Sequence, residues 1–184
     1  LDSQNEYFDT QRAYVEALNI RFDADAIPDR DARDQAYLAA ATALFERYPS
    51  DPDAGSLLGD AYMITRPGRA YWDEDGEPLP GTAEAKAALE SVMDQRPDHP
   101  GGNHLYIHLL ESSNTPELAL DAADRLAPLM PGAGHIVHMP SHIYVRVGQH
   151  TTSVEHNTRS ATVDGEFLAE WGDLEFPKNG TYFL

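Results

Sequence analysis

Two stretches of the sequence match each other when one is shifted along the chain. Residues 99–112 read HPGGNHLYIHLLES, and residues 131–148 read PGAGHIVHMPSHIYVRVG. A shift of 34 residues brings histidine onto histidine twice, placing His104 on His138 and His108 on His142. Self-similarity at a period of this size is the signature of repeat proteins, in which each unit is one supersecondary structure that buries its apolar face on the next. The sequence therefore predicts an array of similar units.

The segments between prolines and glycines have the periodicity of helices rather than of strands. We predict helices over residues 3–20, 30–48, 53–65, 82–96, 103–113, 115–127, 134–147 and 151–164. Thr82 and Thr115 are the predicted N-caps of two of them. Residues 67–81 are rich in proline, glycine and acidic side chains, which predicts a loop inserted into a hairpin. Pro140 is expected to kink the seventh helix, because proline has no N–H to bond to the carbonyl of Ile136.

The composition excludes several classes of protein. The chain has 184 residues, with 13 basic and 31 acidic side chains and a formal charge of −18, which argues against nucleic acid or an anionic membrane as a partner. No apolar run approaches the roughly 20 residues that cross a bilayer, so no membrane insertion is expected. The absence of cysteine excludes disulfides, thiolate zinc sites and iron–sulfur clusters. All eight histidines lie between His99 and His156, and this confinement points to a site.

Residues 58–62 read LGDAY and have the L-G-x-x-Y spacing of the first helix of a tetratricopeptide repeat (TPR). The chain resembles that superfamily. Its histidine-rich strings are similar to the strings H-P-G-x-N-H-x-x-I-H and G-H-x-x-H-M-P-x-H-I-Y of a group of bacterial TPR-like proteins. The resemblance covers roughly residues 36–164 and implies an all-α fold, an α-solenoid of TPR-like antiparallel helical hairpins, with a histidine-lined site. Four residues depart from the usual pattern: Gly102, His150, Ser153 and Ser160. Asn157 falls at a position where the repeat usually has a bulky residue.

On this basis we expect residues 1–184 to form a single TPR-like helical-repeat domain that is a fragment of a longer protein. Its parts are an N-terminal hairpin (1–51), a hairpin with the inserted loop 67–81 (52–99), repeat units at 100–133 and 134–167, and an irregular C-terminal segment (168–184). A bacterial protein of this kind resides in the cytoplasm or, after processing, in the periplasm or outside the cell. The sequence does not choose between these compartments.

The coinciding histidines form an H-x-x-x-H pair on the first helix of each repeat unit. Residues i and i+4 lie on one face of a helix, with Cβ atoms about 6 Å apart, so each pair can hold one ion. The resemblance implies that the first helices of neighbouring units lie side by side and line the concave surface, which brings the two pairs together. Glu111 and His135 extend the two stripes, and Asp60 on the preceding first helix is a further candidate carboxylate. The predicted metal ligands are His104, His108, His138, His142, Glu111 and His135.

Three other histidines are expected to lie outside the site. His99 and His156 are predicted to be loop or surface residues, and His150 replaces an aromatic residue that usually packs in the repeat.

Imidazoles with one or two carboxylates and no thiolate suit a divalent transition metal, with zinc, copper, iron or nickel as candidates. The sequence leaves three alternatives open. The histidines could line a polar groove of a scaffold without metal, which binds a protein partner, a peptide or a small anion, or which associates with itself. They could be structural, satisfied by tyrosines and backbone groups. A metal with an open coordination position could instead make the protein an enzyme acting on a small-molecule ligand, by a reaction that the sequence does not indicate.

Overall fold

The computed structural model describes residues 2–66, 68 and 70–171, and within them the chain is helical. The helices described are α1 Asp2–Phe22, α2 Arg30–Arg47, α3 Pro52–Ile64, α4 Thr82–Gln95, α5 Pro100–Leu110, a 3-10 helix Pro116–Ala119, α6 Leu120–Leu129, α7 Gly134–His138, α8 Pro140–Arg146 and α9 His150–Trp171. The segment 168–184, predicted to be irregular, is still helical as far as Trp171, and its remainder lies outside the described residues. In the described part, β structure is limited to an isolated bridge between Trp72 and Pro78.

The chain divides into two compact units, Leu1–Gln95 and Arg96–Leu184. The first contains α1 to α4, in which each helix packs against the next along the chain. The second contains α5 to α9. All eight histidines fall in this second unit.

The core of the first unit lies between α2 and α3. Tyr37, Ala41 and Ala61 are fully buried there, and aliphatic side chains of α1, α2 and α3 pack around them. The glycine of the LGDAY motif lets α3 approach α4, because a Cβ on Gly59 would lie 2.8 Å from Cδ2 of the buried Leu89. The motif therefore has a packing role of the kind expected in TPR hairpins.

The two threonines predicted as N-caps behave differently. Thr115 occupies the N-cap position of the 3-10 helix, but its side chain makes no capping hydrogen bond. The prediction is wrong for Thr82, which is the first residue of α4. Its buried hydroxyl donates to the carbonyl of Tyr71 (2.7 Å) and accepts from the hydroxyl of Tyr62. These bonds tie the inserted loop to α3 and α4.

The helix α5 begins three residues before the predicted start at residue 103. Pro100 takes the first helical position, where its missing N–H costs no hydrogen bond. The helix is capped by His99, whose Nδ1 accepts a hydrogen bond from the N–H of Gly102 at 3.0 Å. His99 lies in the loop that precedes α5, as one alternative of the prediction expected, but it is only 7% exposed and is not a surface residue. An imidazole acts here in the place of the usual Ser, Thr, Asp or Asn cap.

Small side chains make α6 the centre of the second unit. It packs against α5, α7 and α8, and its inward residues are almost completely buried. The buried residues of α6 are Ala122, Ala123, Leu126 and Ala127. Alanines at these positions allow neighbouring helices to approach closely.

The helix predicted for residues 134–147 is interrupted at Pro140, although Met139 keeps helical dihedral angles (φ −50°, ψ −40°) and its N–H donates to the carbonyl of His135. α7 ends at His138 and α8 begins at Pro140, with the fully buried Met139 between them. Proline suits the first position of α8 because no intrahelical donor is needed there. The two short helices therefore replace the single helix predicted for residues 134–147.

The unusual serines of the last hairpin are accommodated by hydrogen bonds. Ser160 is fully buried on α9 and its hydroxyl donates to the carbonyl of Gly134 at 2.8 Å. Ser153 is also buried, and its hydroxyl donates to the carbonyl of Ser141 at 3.4 Å. Because these bonds satisfy the hydroxyls, α9 packs along both α7 and α8. No helix in the described part of the chain has the length and apolar character needed to cross a membrane.

Candidate metal centre

Two histidines of the candidate site lie on one face of α5. His104 and His108 are one turn apart, and their ring centroids are 4.8 Å from each other. The opposite face of this helix is anchored in the core by Tyr106, Ile107 and Leu110, all of which are buried. Helical periodicity therefore fixes the direction of the two imidazoles.

The other three histidines lie on both sides of the helix break. His135 and His138 belong to α7, and His142 belongs to α8. Val137 and Met139 between them and Ile143 next to His142 are fully buried and hold this segment against the core. Buried residues on both sides of the interruption therefore fix the positions of the histidines.

The five imidazoles form one continuous group. Nε2 of His104 lies 3.1 Å from Nε2 of His135, and Nε2 of His138 lies 2.8 Å from Nε2 of His142. The ring centroids of His108 and His142 are 5.7 Å apart, which connects the two pairs. All five come from elements of the second unit.

Glu111 lies at the C-terminal end of α5, in contact with two of these rings. Its Oε1 is 3.0 Å from Nδ1 of His108, and its Oε2 contacts Nδ1 of His142. Burial of the carboxyl opposes its charged form, but hydrogen bonds from His108 and His142 outweigh this and hold the pKa of Glu111 well below its usual range. Glu111 is therefore a carboxylate near neutral pH and acts as an acceptor for both rings.

A second group of polar residues holds His138. Its Nδ1 lies 2.6 Å from Oδ1 of Asn157 on α9 and 3.3 Å from the hydroxyl of Ser141. Burial lowers the pKa of His138, opposed by the hydrogen bond to Asn157. The ring is thus favoured in its neutral form, which is the form that coordinates metals.

All six residues predicted as ligands come together in this cluster, whereas the additional candidate Asp60 is occupied elsewhere. Asp60 lies in the first unit, where its carboxylate is paired with Arg21 at 2.7 Å and accepts a hydrogen bond from Tyr37 at 3.4 Å. His150 is exposed at the start of α9. His156 is half-buried, with its Nδ1 3.1 Å from the carbonyl of Val137.

Asn157 and Ser141 are not among the site residues predicted from the sequence. A signal was present for Asn157, because it stands where the repeat usually has a bulky packing residue. A small polar residue at a packing position indicates a partner nearby that needs a hydrogen bond. That partner is His138.

The cluster has the geometry to hold a metal ion at its His104 side. One nitrogen from each of His104, His108 and His135 can be chosen so that the three lie within 4.8 Å of one another. The side chains of His108 and Glu111 are 12% exposed and that of His142 is 25% exposed. The site is therefore sheltered yet open enough for an ion to enter.

Comparison with known proteins bears on the fold and not on this site. No family model and no curated protein matches the chain. Among solved structures it is similar to one named MamA MSR-1 C2, a TPR protein, with a TM-score of 0.55 and 15% sequence identity over 90% of this chain and 95% of that chain. This likeness confirms the predicted fold class, an all-α, α-solenoid type built from TPR-like helical hairpins. The similarity of the histidine strings to the bacterial group remains a prediction.

Proposed function

We propose that this TPR-like protein binds a divalent transition metal through the histidine cluster of its second unit. The observation that carries the proposal is the convergence of His104, His108 and His135, whose nitrogens lie within 4.8 Å of one another. Three imidazoles from two different segments meet here, which sequence spacing alone does not require.

The surroundings of the cluster also support metal binding. Metal-binding histidines usually donate their second ring N–H to a carboxylate or carbonyl, which fixes the tautomer and the ring orientation. Glu111 accepts from Nδ1 of His108 and of His142, and Asn157 accepts from Nδ1 of His138. In this proposal His138 and His142 belong to the ligand set, and Glu111 positions two of the imidazoles.

The ligand chemistry limits the choice of ion. Imidazole nitrogens suit Zn(II), Cu(II), Ni(II) and Fe(II), whereas Mg(II) and Ca(II) prefer oxygen ligands. Zinc, copper and iron are the ions that we propose first.

The test is the metal content of the native protein. A chain expressed without a polyhistidine tag and purified without chelators is expected to contain at least one transition-metal ion per chain by mass spectrometry. The His104→Ala, His108→Ala double variant should contain at least one ion fewer, because two of the three converging ligands are removed. His150→Ala is the matched control, since His150 is exposed and outside the cluster. The absence of stoichiometric metal, or an unchanged metal content in the double variant, would contradict the proposal.

The fold supports a second candidate function, the binding of another protein. TPR-like hairpins stack into extended surfaces that are commonly used to bind partners. In this version the histidines line a polar groove without metal, and the chain binds a protein partner or another copy of itself. Light scattering tests the self-association: a monomer at high concentration would contradict it. An unaltered association in chelated protein would separate this function from metal binding.

A metal-dependent enzyme is the third version of the proposal. The partial exposure of His142 leaves access for a small molecule, and an ion with an open position can activate water or polarise a carbonyl. Its test is turnover of hydrolysable ester and phosphoester probes that requires the metal and is lost in the double variant.

A further inference from the structure

Within the continuous cluster of five imidazoles, the short nitrogen–nitrogen contacts define two groups. His104 and His135 face each other through their Nε2 atoms at 3.1 Å, and His108 completes that group. His138 and His142 face each other separately through Nε2 atoms at 2.8 Å. No histidine is shared between the two short distances.

Both short distances suit two ligands of the same ion. Zn–N bonds are about 2.0–2.1 Å long, so two nitrogens on one tetrahedral ion are about 3.3 Å apart, and about 2.9 Å apart when their angle is near 90°. The observed 3.1 and 2.8 Å lie at or near these values. Each group thus has the spacing of a coordinated pair.

The hydrogen bonds around His138 and His142 favour a proton or a cation between the two rings. Asn157 donates through Nδ2 to the carbonyl of Ser153 at 2.9 Å, so its Oδ1 faces Nδ1 of His138 as an acceptor. Nδ1 of His142 faces the carboxylate of Glu111, which is also an acceptor. Both Nδ1 atoms therefore carry the proton. In neutral rings the two Nε2 atoms then present lone pairs to each other, an arrangement that needs a proton or a cation between them.

Building on the proposed metal site, we propose that the cluster is a dinuclear centre with a second ion held by His138 and His142. The first ion is held by His104, His108 and His135. Glu111 contacts one ligand of each group, with Oε1 on His108 and Oε2 on His142, and so couples the two sites. The second ion has two protein ligands, so its remaining positions are open to water or to a small anionic or carbonyl-containing ligand. Divalent ions with a high affinity for imidazole, above all Zn(II) and Cu(II), fit both sites.

The metal stoichiometry of the 184-residue chain tests this inference. Metal-free protein is titrated with Zn(II), passed through a desalting column and analysed for zinc and protein. We expect two ions per chain for the unmodified protein and for His150→Ala. We expect one for the His138→Ala, His142→Ala variant and one for the His104→Ala, His135→Ala variant. Circular dichroism of each metal-free variant checks that its helices are retained.

The outcomes separate the two proposals. One ion in the unmodified chain overturns the dinuclear centre and leaves the proposed metal-binding function intact, with a proton between His138 and His142. If no ion binds, both proposals are overturned. A measurement without any substitution gives an independent answer: two Cu(II) ions held this closely interact magnetically, so electron paramagnetic resonance of the copper-loaded chain should show a coupled signal. Two isolated Cu(II) signals would contradict a shared centre.

Discussion

Glu111 contacts one histidine of each of the two groups. A carboxylate has two oxygens, and here each accepts from a different imidazole, His108 on α5 and His142 on α8. Because both Nδ1 atoms are engaged in this way, both Nε2 atoms are left to bind the proposed ions. The side chain is only 12% exposed, so water cannot easily replace these bonds. In the proposed metal site, Glu111 therefore orients two ligands, which an ordinary surface acid would not do.

The change Glu111→Gln removes this double acceptor with little change in size. Glutamine has one carbonyl oxygen and one NH₂ group, so it can accept from only one of the two rings and presents a donor to the other. We expect zinc affinity, measured by calorimetric titration, to fall about 10–100-fold, which is the usual effect of losing a group that orients metal ligands.

The matched control is Glu117→Gln, which removes the same charge from an exposed position in the same unit. Its affinity should stay near that of the unmodified chain. If both variants bind zinc equally well, Glu111 does not orient the ligands. If both are weakened equally, the effect is one of net charge.

At the scale of the helix, replacing glycine by alanine is expected to have opposite effects on stability at two positions. Gly59 lies in α3 against the buried Leu89, and an added Cβ would approach three carbons of that side chain at 2.8 to 3.2 Å. Gly165 lies on the exposed side of α9, and an added Cβ would meet nothing within 4 Å. The same substitution is therefore harmful at one position and helpful at the other.

We expect Gly59→Ala to lower the free energy of unfolding, because overpacking costs about 1–3 kcal/mol and outweighs the better helix propensity of alanine. Gly165→Ala should raise it by up to about 1 kcal/mol through propensity alone. Thermal and urea unfolding of the two variants provides the comparison. A stabilised Gly59→Ala protein would show that α3 and α4 are not closely packed at this point.

The helices also show which features of the fold and of the candidate site could be predicted from the sequence. The all-α class and the meeting of His104 with His108 follow from helical periodicity and from the 34-residue repeat. The contact between His104 and His135 does not follow, because it depends on how α7 lies relative to α5 in the folded unit. The role of His99 as a cap was also not predictable, since an imidazole is unusual at that position. The polar residue at Asn157 indicates a hydrogen-bonding partner nearby, but the sequence does not identify that partner as His138. Local periodicity determines which face a side chain lies on, whereas the packing of separate segments determines which side chains meet.

At the scale of the whole chain, charge and site are distributed differently. The 31 acidic side chains are spread along the sequence, whereas all eight histidines lie in the unit Arg96–Leu184. An acidic chain attracts divalent ions without specificity, so metal bound to the protein is not by itself evidence for the histidine centre. A stricter criterion is which helices the bound metal stabilises, rather than how much it stabilises the protein.

Hydrogen exchange measured by mass spectrometry locates that stabilisation. Zinc at about 100 times its dissociation constant should add about 2.7 kcal/mol to the stability of the bound unit, which slows amides that exchange by its unfolding roughly 100-fold. We expect this slowing in α5, α7 and α8, and a smaller slowing in the His104→Ala, His108→Ala variant, which keeps the proposed second site. Calcium is the matched control, because it prefers oxygen ligands and should leave these helices unchanged at the same concentration. Equal protection by calcium and zinc would assign the binding to the acidic surface, because only the imidazoles discriminate between the two ions.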